Sequence, residues 1–361
     1  MNTTRRGFLT GSTAAALGIM SMPAFDLRYA RAAEQLTAVQ WGGNYIKVSK
    51  EIVAERPGLD VTWELHAGGA AAILGKIKAA WPHVKYDTVA AWDPVFVSMI
   101  KEDWLDEITP DDVPNLKDMP QSLVFRDGKG RGMTVPTSIN ANLWAYRTDI
   151  CPIELKSIDD LLSPKLKGQI CFPDPLLSTN FAVVTLALAR GGDEKNLEPG
   201  WKFLAELAKS GNIGRVAHSD NDLITSMTTG ETSINFGSAV VNGTIGKNFP
   251  VKTLGRVPGD KGFKSIVFTT GFVVLKGKNK KAAVDFINLL TTPENNAKYN
   301  AAIGTVPSNR KAQVPEKMAF LKFTDEEDKQ FAYHADWAYV SDHLDSWVKR
   351  WESDIAPLLR T

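Results

Sequence analysis

In the first third of the chain, apolar residues recur alternately with the two-residue period of strands and with the spacing of helices. Apolar side chains occupy every second position from Leu59 to Leu65, which is typical of a strand with one buried face. Shorter apolar runs over residues 36–41 and 86–91 predict two further strands, and helical spacing between and after the runs predicts three helices. A strand-helix order repeated three times predicts a parallel sheet with helices on both faces.

Two later stretches, residues 132–147 and 265–274, are apolar at both ends and polar in the middle. Pro136 has no N–H for a sheet ladder, so we expect a bend at Val135-Pro136 and a buried strand over residues 143–146. Because both stretches share this pattern, we interpret them as two crossings of the chain between domains, at which a hinge would close. The small polar residues expected to face the space between the domains are Thr137, Ser138, Asn140, Asn142 and Thr270.

The two crossings divide the chain into two lobes, each predicted to be a mostly parallel sheet flanked by helices. The first lobe is expected to hold residues 33–136 and 270–361 with the C-terminal helices, and the second lobe residues 137–269. A capping box at Ser157–Asp160 predicts a short helix in the second lobe. Further strands are predicted over 169–172, 213–216, 233–236 and 252–257, and further helices over 181–189, 201–207, 239–248, 280–290 and 293–303 and between residues 219–222 and Gly230.

Aromatic and aliphatic residues recur at three- and four-residue steps near the C-terminus, which predicts a helix with an apolar stripe. The stripe is made of Trp337, Val340, Leu344, Trp347 or Val348, and Trp351. A stripe of this kind is either a surface for a partner or part of the core. Apolar helical stripes normally face inward, so we expect it to belong to the core.

The first 32 residues have the composition of an export signal. Arg5-Arg6 is followed by Phe8-Leu9 and a weakly apolar run over residues 11–22, and Ala30-Arg31-Ala32 fits a small-x-small cleavage site. This pattern predicts a twin-arginine signal cut after Ala32, with a short N-terminal helix as the alternative interpretation. No cysteine lies near the cleavage site for lipid attachment, so we expect export to a periplasm.

The charge balance argues against one class of partner. The chain carries a formal charge of +1, and residues 1–32 contribute four arginines and one aspartate, so the remainder carries −2. Phosphate backbones bind to strongly basic faces, which a near-neutral protein does not offer. We therefore expect no nucleic-acid partner.

The sequence lacks the patterns that mark a catalytic or metal centre. The five histidines lie in separate segments without metal-ligand spacing, and no GxSxG, P-loop or GxGxxG pattern occurs. The two cysteines, Cys151 and Cys171, form no CxxC motif, and they either make a disulfide after export or remain separate thiols. We expect the protein to have no enzymatic activity, no cofactor and no bound metal.

Three loops of the first lobe follow strands directly, and ligands bind at the carboxyl ends of the strands in open parallel sheets. Trp41, Tyr45 and Trp92 would stack on an organic ligand or on its cationic groups. His66 either donates a hydrogen bond to the ligand or faces solvent. Asp93 either pairs with an amine or caps the helix that follows it. The three loops are residues 41–45, which include Asn44, residues 66–69, which include Gly68 and Gly69, and residues 92–93.

The candidate ligand groups of the second lobe are Ser178, Thr179, Asn180, Asn235 and Ser238. The first three precede the helix over residues 181–189, where they either help its N-terminus to attract an anion or only cap it. The last two are expected to end a strand at the cleft. Opposite the carboxylate of Asp93 and the aromatic loops, this arrangement predicts a small organic solute that carries an amine, either a zwitterion with an acidic group as well or an amine alone, such as a polyamine-like compound.

Several short motifs recur in the order found in a known family. They are Tyr86-Asp87-Thr88-Val89 before Trp92, Val135-Pro136, Trp144-Ala145-Tyr146-Arg147, Lys165-Leu166-Lys167-Gly168-Gln169-Ile170, Phe172-Pro173-Asp174-Pro175, Pro293-Glu294 and Gly304-Thr305-Val306-Pro307-Ser308-Asn309. Their order and spacing resemble the bacterial extracellular solute-binding proteins of ABC importers, in the type II branch that holds polyamine, iron, thiamine and phosphonate binders. The resemblance covers nearly all of the chain after residue 32.

This resemblance implies a monomer of the two-lobe type II periplasmic fold that closes on a solute and delivers it to an ABC permease in the inner membrane. Polyamine binders usually carry carboxylates after the Pro-Asp-Pro motif, whereas this chain has residues 176–180 without any. Iron binders often carry adjacent tyrosines late in the chain, whereas Tyr299, Tyr333 and Tyr339 are separated. The alternative functions are a receptor that feeds a membrane sensor and an enzyme built on the same fold.

Overall fold

The computed structural model describes residues 34–66 and 70–359, and the structural statements below concern these residues. The expected signal segment over residues 1–32 and the glycines Gly68 and Gly69 of the second loop lie outside the described residues. Within the described ranges, no helix is long and apolar enough to cross a membrane. The same ranges contain no group of three or more His, Cys, Asp or Glu side chains that could hold a metal ion.

The strands of the described chain belong to one sheet. They are β1 (Glu34–Gln40), β2 (Leu59–Leu65), β3 (Thr88–Trp92), β4 (Val135–Arg147), β5 (Ile170–Pro173), β6 (Ile213–Ala217), β7 (Ile234–Ser238), β8 (Val251–Thr253), β9 (Ser265–Val274), β10 (Val306–Pro307) and β11 (Ala332–Tyr333). The strands predicted from apolar runs at 169–172, 213–216 and 233–236 are present with ends shifted by one or two residues. The strand predicted over 252–257 is shorter than expected and leaves the sheet after residue 253.

Helices follow most strands, as the sequence pattern predicts. They are α1 (Asn44–Ala54), α2 (Ala70–Ala80), α3 (Asp93–Lys101), α4 (Pro175–Ser178), α5 (Phe181–Leu188), α6 (Glu198–Lys209), α7 (Asp220–Thr229), α8 (Ala239–Ile245), α9 (Lys280–Leu290), α10 (Pro293–Ile303), α11 (Asp325–Phe331) and α12 (Trp337–Arg350). The ends of α9 and α10 match the prediction because capping residues fix them. The side chains of Asn279 and Thr292 accept the N–H groups of Ala282 and Asn295, respectively. Ser157 and Asp160 form the predicted capping box, on a 3₁₀ turn over residues 158–162.

The strand order across the sheet is β2-β1-β3-β9-β4-β7-β5-β6. At one side β1 is parallel to β2 and β3, and at the other β5 is parallel to β6 and β7, as expected of two α/β units. Between them β9 and β4 run antiparallel to each other and to their outer neighbours. The two predicted crossings are therefore long strands that lie side by side, and the predicted α/β fold class is confirmed.

The strand is not broken at Val135-Pro136 as the proline suggested, because β4 runs from Val135 to Arg147. A β-bulge accommodates the proline, and the pairing with β9 shifts between Pro136 and Ser138. Gly271 lies opposite Pro136, and a Cβ atom on this glycine would stand 2.2 Å from the carbonyl oxygen of Val135. The missing side chain therefore lets the strands approach closely beside a residue that cannot donate to the ladder.

The C-terminal stripe packs into the largest buried cluster, which is built mainly from residues between Trp144 and Ile266. Its side chains Trp337, Val340, Trp347 and Trp351 are buried there, and Trp351 stacks on Phe172 with ring centroids 5.7 Å apart. The expectation that this stripe belongs to the core is confirmed. Separate clusters bury the residues of β1, β3, α1, α3 and α9 on the other side of the crossing strands.

The two cysteines are separate thiols, which decides between the alternatives that the sequence left open. Cys151 is half-buried, and its thiol lies 3.2 Å from the carbonyl oxygen of Ile153. Cys171 is fully buried within β5, and burial raises the pKa of its thiol to about 11. A thiol protonated at neutral pH is a weak nucleophile, so Cys171 is a packing residue.

Candidate functional site

A cavity of about 640 Å³ lies where the carboxyl ends of β1 and β3 meet the two crossing strands. Its walls come from the loops after these strands, from β4 and β9, from the segments 176–181 and 218–220, and from α12. The predicted ligand residues that line it are Trp41, Tyr45, Trp92, Asn140, Thr179, Ser238 and Thr270. We call this space the main cavity.

Trp41 lies at the centre of an aromatic group in one wall of the main cavity. Its ring centroid is 5.2 Å from that of Tyr45 and 6.0 Å from that of Trp92. Gly43 adopts φ 63°, and this conformation, which costs glycine little, directs the chain into α1 directly after the tryptophan. The buried side chain of Gln40 accepts the N–H of Trp41 at 2.9 Å. Local backbone geometry therefore presents the rings to the main cavity.

His66 lies behind this aromatic group and does not line the main cavity. Its ring stacks on Trp41 with centroids 4.9 Å apart and planes inclined by 10°. The Nε2 atom lies 2.6 Å from the carbonyl oxygen of Ala90, which can only accept, so Nε2 carries the hydrogen. Burial lowers the pKa of His66, and Nδ1 has no partner among the described residues. The neutral imidazole therefore packs against the Trp41 ring and helps to hold the ring in place.

Tyr45 and Asp220 are coupled electrostatically across the main cavity. Burial, and after it the negative charge of Asp220, raises the pKa of Tyr45 to about 12. Desolvation raises the pKa of Asp220 as well, although its side chain still reaches solvent through the open side of the cavity. The site therefore offers a protonated phenol and a nearby carboxylate at neutral pH.

Asp93 is buried and lies outside the main cavity. Both of its carboxylate oxygens accept the N–H of Thr269, at 3.1 and 3.0 Å, and Oδ1 also accepts the Thr269 hydroxyl. Burial raises the pKa of Asp93 to about 7, and the hydrogen bonds from Thr269 oppose that shift. Of the two alternatives for Asp93, the helix cap is absent, because Trp92 is the N-cap residue of α3 and Asp93 is its first residue. Asp93 instead ties α3 to the second crossing strand.

Of the three predicted anion-binding residues before α5, Thr179 alone lines the main cavity. Ser178 ends α4 and its hydroxyl donates to the carbonyl oxygen of Asp174 at 3.3 Å. Asn180 is the N-cap residue of α5 in a left-handed conformation, but its side chain makes no capping bond. That amide is 1% exposed and has no partner among the described residues. The helix end therefore turns one of the three side chains toward the main cavity.

The crossing strands bring small polar groups to the floor of the main cavity. Thr270 and Asn140 line it, and Ser138 lies directly opposite Thr270 in the β4–β9 ladder. The hydroxyls of Ser138 and Thr270 are buried without a partner among the described residues. The side-chain oxygen of Asn140 accepts the N–H of Ala141 at 2.8 Å, which leaves its amide group as a donor.

The remaining predicted ligand residues occupy three different environments. Ser238 lines the main cavity and caps α8 by accepting the N–H of Val241 at 3.2 Å. The expectation that Asn235 ends a strand is wrong, because β7 continues to Ser238 and leaves Asn235 fully buried inside the sheet. Asn44 lies at the surface and donates to the carbonyl oxygen of Ala302 at 3.0 Å.

Several residues of the main cavity were not among the sequence candidates. They are Pro94, Leu176, Leu177, Phe181, His218, Asp220, Val240, Phe268, Trp337 and Leu344, while the predicted Asn142 and the loop residue Gly42 line the main cavity as well. The segment with His218 and Asp220 follows the carboxyl end of β6, so the strand-end rule applied to the second group of parallel strands would have found it. His218 Nδ1 lies 2.6 Å from the carboxylate of Asp174 at the rim. The aromatic residues Phe268 and Trp337 carry no local signal of this kind.

The fold has two groups of parallel strands joined by β4 and β9, and the main cavity beside these strands has the size of a small-molecule site. The sequence profile of the bacterial extracellular solute-binding protein family matches residues 53–339, and the chain belongs to that family. Comparison with curated proteins gave no match.

Solved structures share the fold. An ABC transporter protein from Clostridium perfringens superposes with a TM-score of 0.71 at 23% identity, over 89% of this chain and 99% of that one. The spermidine/putrescine substrate-binding protein of Streptococcus pneumoniae gives 0.70 at 18% identity, over 89% and 100%. A GABA receptor gives 0.68 at 18% identity, over 90% and 98%.

These findings confirm the resemblance to the type II solute-binding proteins of ABC importers. The family and its structural neighbours are binding proteins without enzymatic activity, as the sequence predicts for this chain. The chain is therefore a solute-binding protein of the kind that serves ABC transporters. Its structural neighbours bind solutes as different as polyamines and GABA, so the fold does not specify the solute, and the residues that line the main cavity are the guide to its chemistry.

Proposed function

We propose that the protein captures a small, amine-bearing and zwitterionic solute in the main cavity and delivers it to an ABC permease. The observation that carries this proposal is the position of Asp220, a carboxylate that faces an aromatic wall inside the main cavity. An ammonium group placed there gains a charge-assisted hydrogen bond of roughly 1.5–3 kcal/mol. The rings of Trp41 and Trp92 add the attraction of aromatic faces for cations.

Asp220 takes the place that the sequence suggested for Asp93. The carboxylate of Asp93 is engaged by Thr269 and lies outside the main cavity, whereas Asp220 forms no ion pair with another described residue. A solute ammonium would therefore supply the missing counter-charge to Asp220. Desolvation, which raises the pKa of this carboxyl, makes that counter-charge more valuable than it would be in water.

The other end of the solute has neutral donors to meet. Asn140 and Asn142 present side-chain amides, and Thr270 presents a hydroxyl that lacks a partner among the described residues. These donors suit a carboxylate without requiring a cation in the main cavity. A zwitterion uses both ends, while a diamine such as putrescine leaves these donors to water. The chemistry favours an amino acid over a polyamine.

Capture is proposed to close two lobes around the paired crossing strands, near Pro136-Thr137 and Phe268-Thr269. The burial of α12 supports a modified boundary, in which the C-terminal segment moves with the second lobe and not with the first. Trp337 packs edge-to-face on Phe181 of α5 with centroids 4.9 Å apart, and both side chains line the main cavity. Small-angle scattering with and without a saturating solute tests this closure, and an unchanged radius of gyration would exclude it.

Export through the twin-arginine pathway to the periplasm, as a monomer, completes the proposal. Its support is the Arg5-Arg6 motif and the family's extracellular character. Replacement of both arginines by lysine is expected to retain the precursor in the cytoplasm, and normal export of that variant would assign another route. A receptor that feeds a membrane sensor is separated from a transport protein by solute uptake in a deletion strain.

A thermal-shift screen of amino acids, diamines, carboxylic acids and neutral sugars tests the choice of solute, since a ligand of the folded state raises its melting temperature. Amine-bearing zwitterions are expected to give the largest shifts. Asp220→Asn should weaken binding of the best hit about tenfold or more, while the exposed Asp345→Asn leaves it unchanged. Hits confined to sugars or nitrogen-free acids would overturn the proposal.

A further inference from the structure

A second cavity, of about 520 Å³, lies behind Phe268 and Trp337, which line both cavities. Its other walls are one face of α3, residues 122–126 and the segment 334–338 before and at the start of α12. The second cavity therefore lies beside the second crossing strand, on the far side of these two aromatic residues from the main cavity.

The floor of the second cavity is an edge of β9. β3 pairs with β9 only as far as Trp92 opposite Thr270, and β11 pairs with β9 at Ser265 and Ile266. Between these pairings, residues 267–269 have no strand partner on this edge within the described chain. The carboxylate of Asp93 takes the N–H of Thr269 in this gap, at 3.0–3.1 Å, and lines the second cavity.

Two charged groups in this wall lack a counter-ion among the described residues. Asp93 is 3% exposed and bonds only to neutral groups of Thr269. Arg126 lies at the rim and donates to the carbonyl oxygen of Gly130 and the side chain of Gln121, at 3.1 and 3.0 Å. The other charged groups of the wall are paired, namely Lys101 with Asp342 at 2.6 Å, Asp336 with Lys195 at 2.9 Å and His334 with Asp328 at 3.0 Å.

The space between these two charges is apolar. Val97 and Ile100 of α3, Leu123 and Phe125 of the neighbouring loop, and Trp337 line it. A ligand that complements this wall carries a cation at the buried end, an anion at the rim and an apolar body between them. An ω-amino acid, in which an aromatic or aliphatic spacer separates the ammonium from the carboxylate, has these three parts.

We propose that the second cavity is a separate binding site for a zwitterionic small molecule with an apolar body, whose ammonium contacts Asp93 and whose carboxylate contacts Arg126. Oδ2 of Asp93 accepts one hydrogen bond from Thr269 and retains room for another. The guanidinium of Arg126 is suited to a carboxylate, which it can hold with two parallel bonds. This proposal concerns different residues from the main cavity and does not depend on the solute proposed there.

The charge state of Asp93 is consistent with this occupant. Burial raises the pKa of the carboxyl to about 7, because desolvation disfavours the ionised form and no described residue supplies a cation to offset it. A bound ammonium would supply that cation and return the carboxyl to its ionised state. Binding at the second cavity is therefore expected to weaken as the pH falls below about 7.

The test uses 4-(aminomethyl)-2-fluorobenzoic acid, a zwitterion with an aromatic ring between its two charges, as the probe, observed by ¹⁹F NMR. To remove binding at the main cavity, the full chain carries Trp41→Ala and Asp220→Asn as a background. The probe is expected to bind this background protein. Arg126→Gln should weaken that binding about tenfold, since one charge-assisted bidentate contact is lost, and Val97→Phe should abolish it by filling the space. Arg131→Gln, which removes an arginine paired to Asp127 away from the second cavity, should change nothing.

Asp93→Asn should weaken the probe to the same degree as Arg126→Gln. If that variant fails to fold, Arg126→Gln and Val97→Phe decide the matter alone. 3-Fluorobenzylamine and 2-fluoro-4-methylbenzoate, each with one of the two charges, should bind about tenfold more weakly than the zwitterion. The proposal is overturned if the background protein does not bind the probe, if Val97→Phe binds it as well as its parent, or if the singly charged compounds bind equally well.

Discussion

Asp220 and Tyr45 face each other across the main cavity, and burial together with the carboxylate's charge raises the pKa of the phenol to about 12. The tyrosine is therefore a permanent hydrogen-bond donor at physiological pH, while the aspartate is an acceptor without a cationic partner in the described part of the chain. An incoming amine would meet both groups at once. Asp220, and not Asp93, supplies a carboxylate to the main cavity.

Removal of the Asp220 charge should move the pKa of Tyr45 downward. Asp220→Asn eliminates the second of the two causes of the shift and leaves burial in place, so the pKa should fall without reaching the ordinary tyrosine range. Ultraviolet pH titration measures the change, with Asp220→Asn/Tyr45→Phe as the reference that identifies the Tyr45 signal. An identical titration of Tyr45 in both Asp220 forms would show that the two groups are not coupled.

The close approach of β4 and β9 at Gly271 should make this glycine hard to replace. In Gly271→Ala the new Cβ would stand 2.2 Å from the carbonyl oxygen of Val135, so one crossing strand must shift. We expect a loss of about 1–3 kcal/mol or more in the free energy of unfolding, as in other overpacked sites, measured by urea denaturation. Gly128→Ala, where a Cβ meets nothing within 4 Å, is the matched control. Equal stability of the two variants would contradict the packing argument.

The fold could be predicted from the sequence because its signals are local. Alternation over residues 59–65 and helical spacing around residues 280–303 identify these elements, because the order of apolar and polar residues within each element shows which face is buried. The strand interruption expected at Pro136 does not occur. Gly271, which lets the paired strand approach the proline closely, lies on a strand that is distant in sequence. The expectation that a proline breaks a central strand rests on that strand's own residues, so it takes no account of the glycine opposite on the paired strand.

The site was predicted in part for the same reason. The aromatic loop residues follow strands directly, so the strand-end rule brought Trp41, Tyr45 and Trp92 together correctly. Asp93 follows a strand as well, but its partner Thr269 is 176 residues away and turns the carboxylate from the main cavity. Asp220 follows the carboxyl end of β6, so the rule that selects the first-lobe loops applies equally to it.

Asp93 should make stability depend on pH in an unusual direction. Its folded-state pKa of about 7 lies above the ordinary value of 3.8, so the folded protein binds more protons than the unfolded chain between these values. Stability from this group is therefore full below about pH 4 and is lost as the pH rises through about 7. Urea midpoints measured from pH 5 to 8 should fall with pH in the wild type and less in Asp93→Asn. Parallel curves for the two proteins would show that Asp93 titrates normally.

The carbonyl of Thr137, inside the bulge of β4, is held by two side-chain amides from one helix. Asn296 and Asn300 of α10 donate to it at 2.8 and 3.0 Å, and Asn296 also accepts the N–H of Asn309 at 3.0 Å. All three asparagines are fully buried or nearly so, so no water can replace a lost partner without rearrangement. These bonds fix the crossing strand at the position where the lobes are proposed to pivot.

Asn296→Ala should therefore destabilise the protein by about 1–3 kcal/mol, the cost of leaving a buried N–H and part of a carbonyl unsatisfied. In Asn300→Ala the Thr137 carbonyl keeps the hydrogen bond from Asn296, so the loss of stability at this carbonyl should be smaller. The same substitution also removes the acceptor of the Thr305 hydroxyl. The exposed Asn248→Ala controls for loss of an asparagine as such. Urea denaturation gives the free energies, and amide hydrogen exchange at residues 137–139 shows whether the bulge itself loosens. Wild-type protection of these amides in Asn296→Ala would mean that the ladder between β4 and β9 holds the bulge without help from α10.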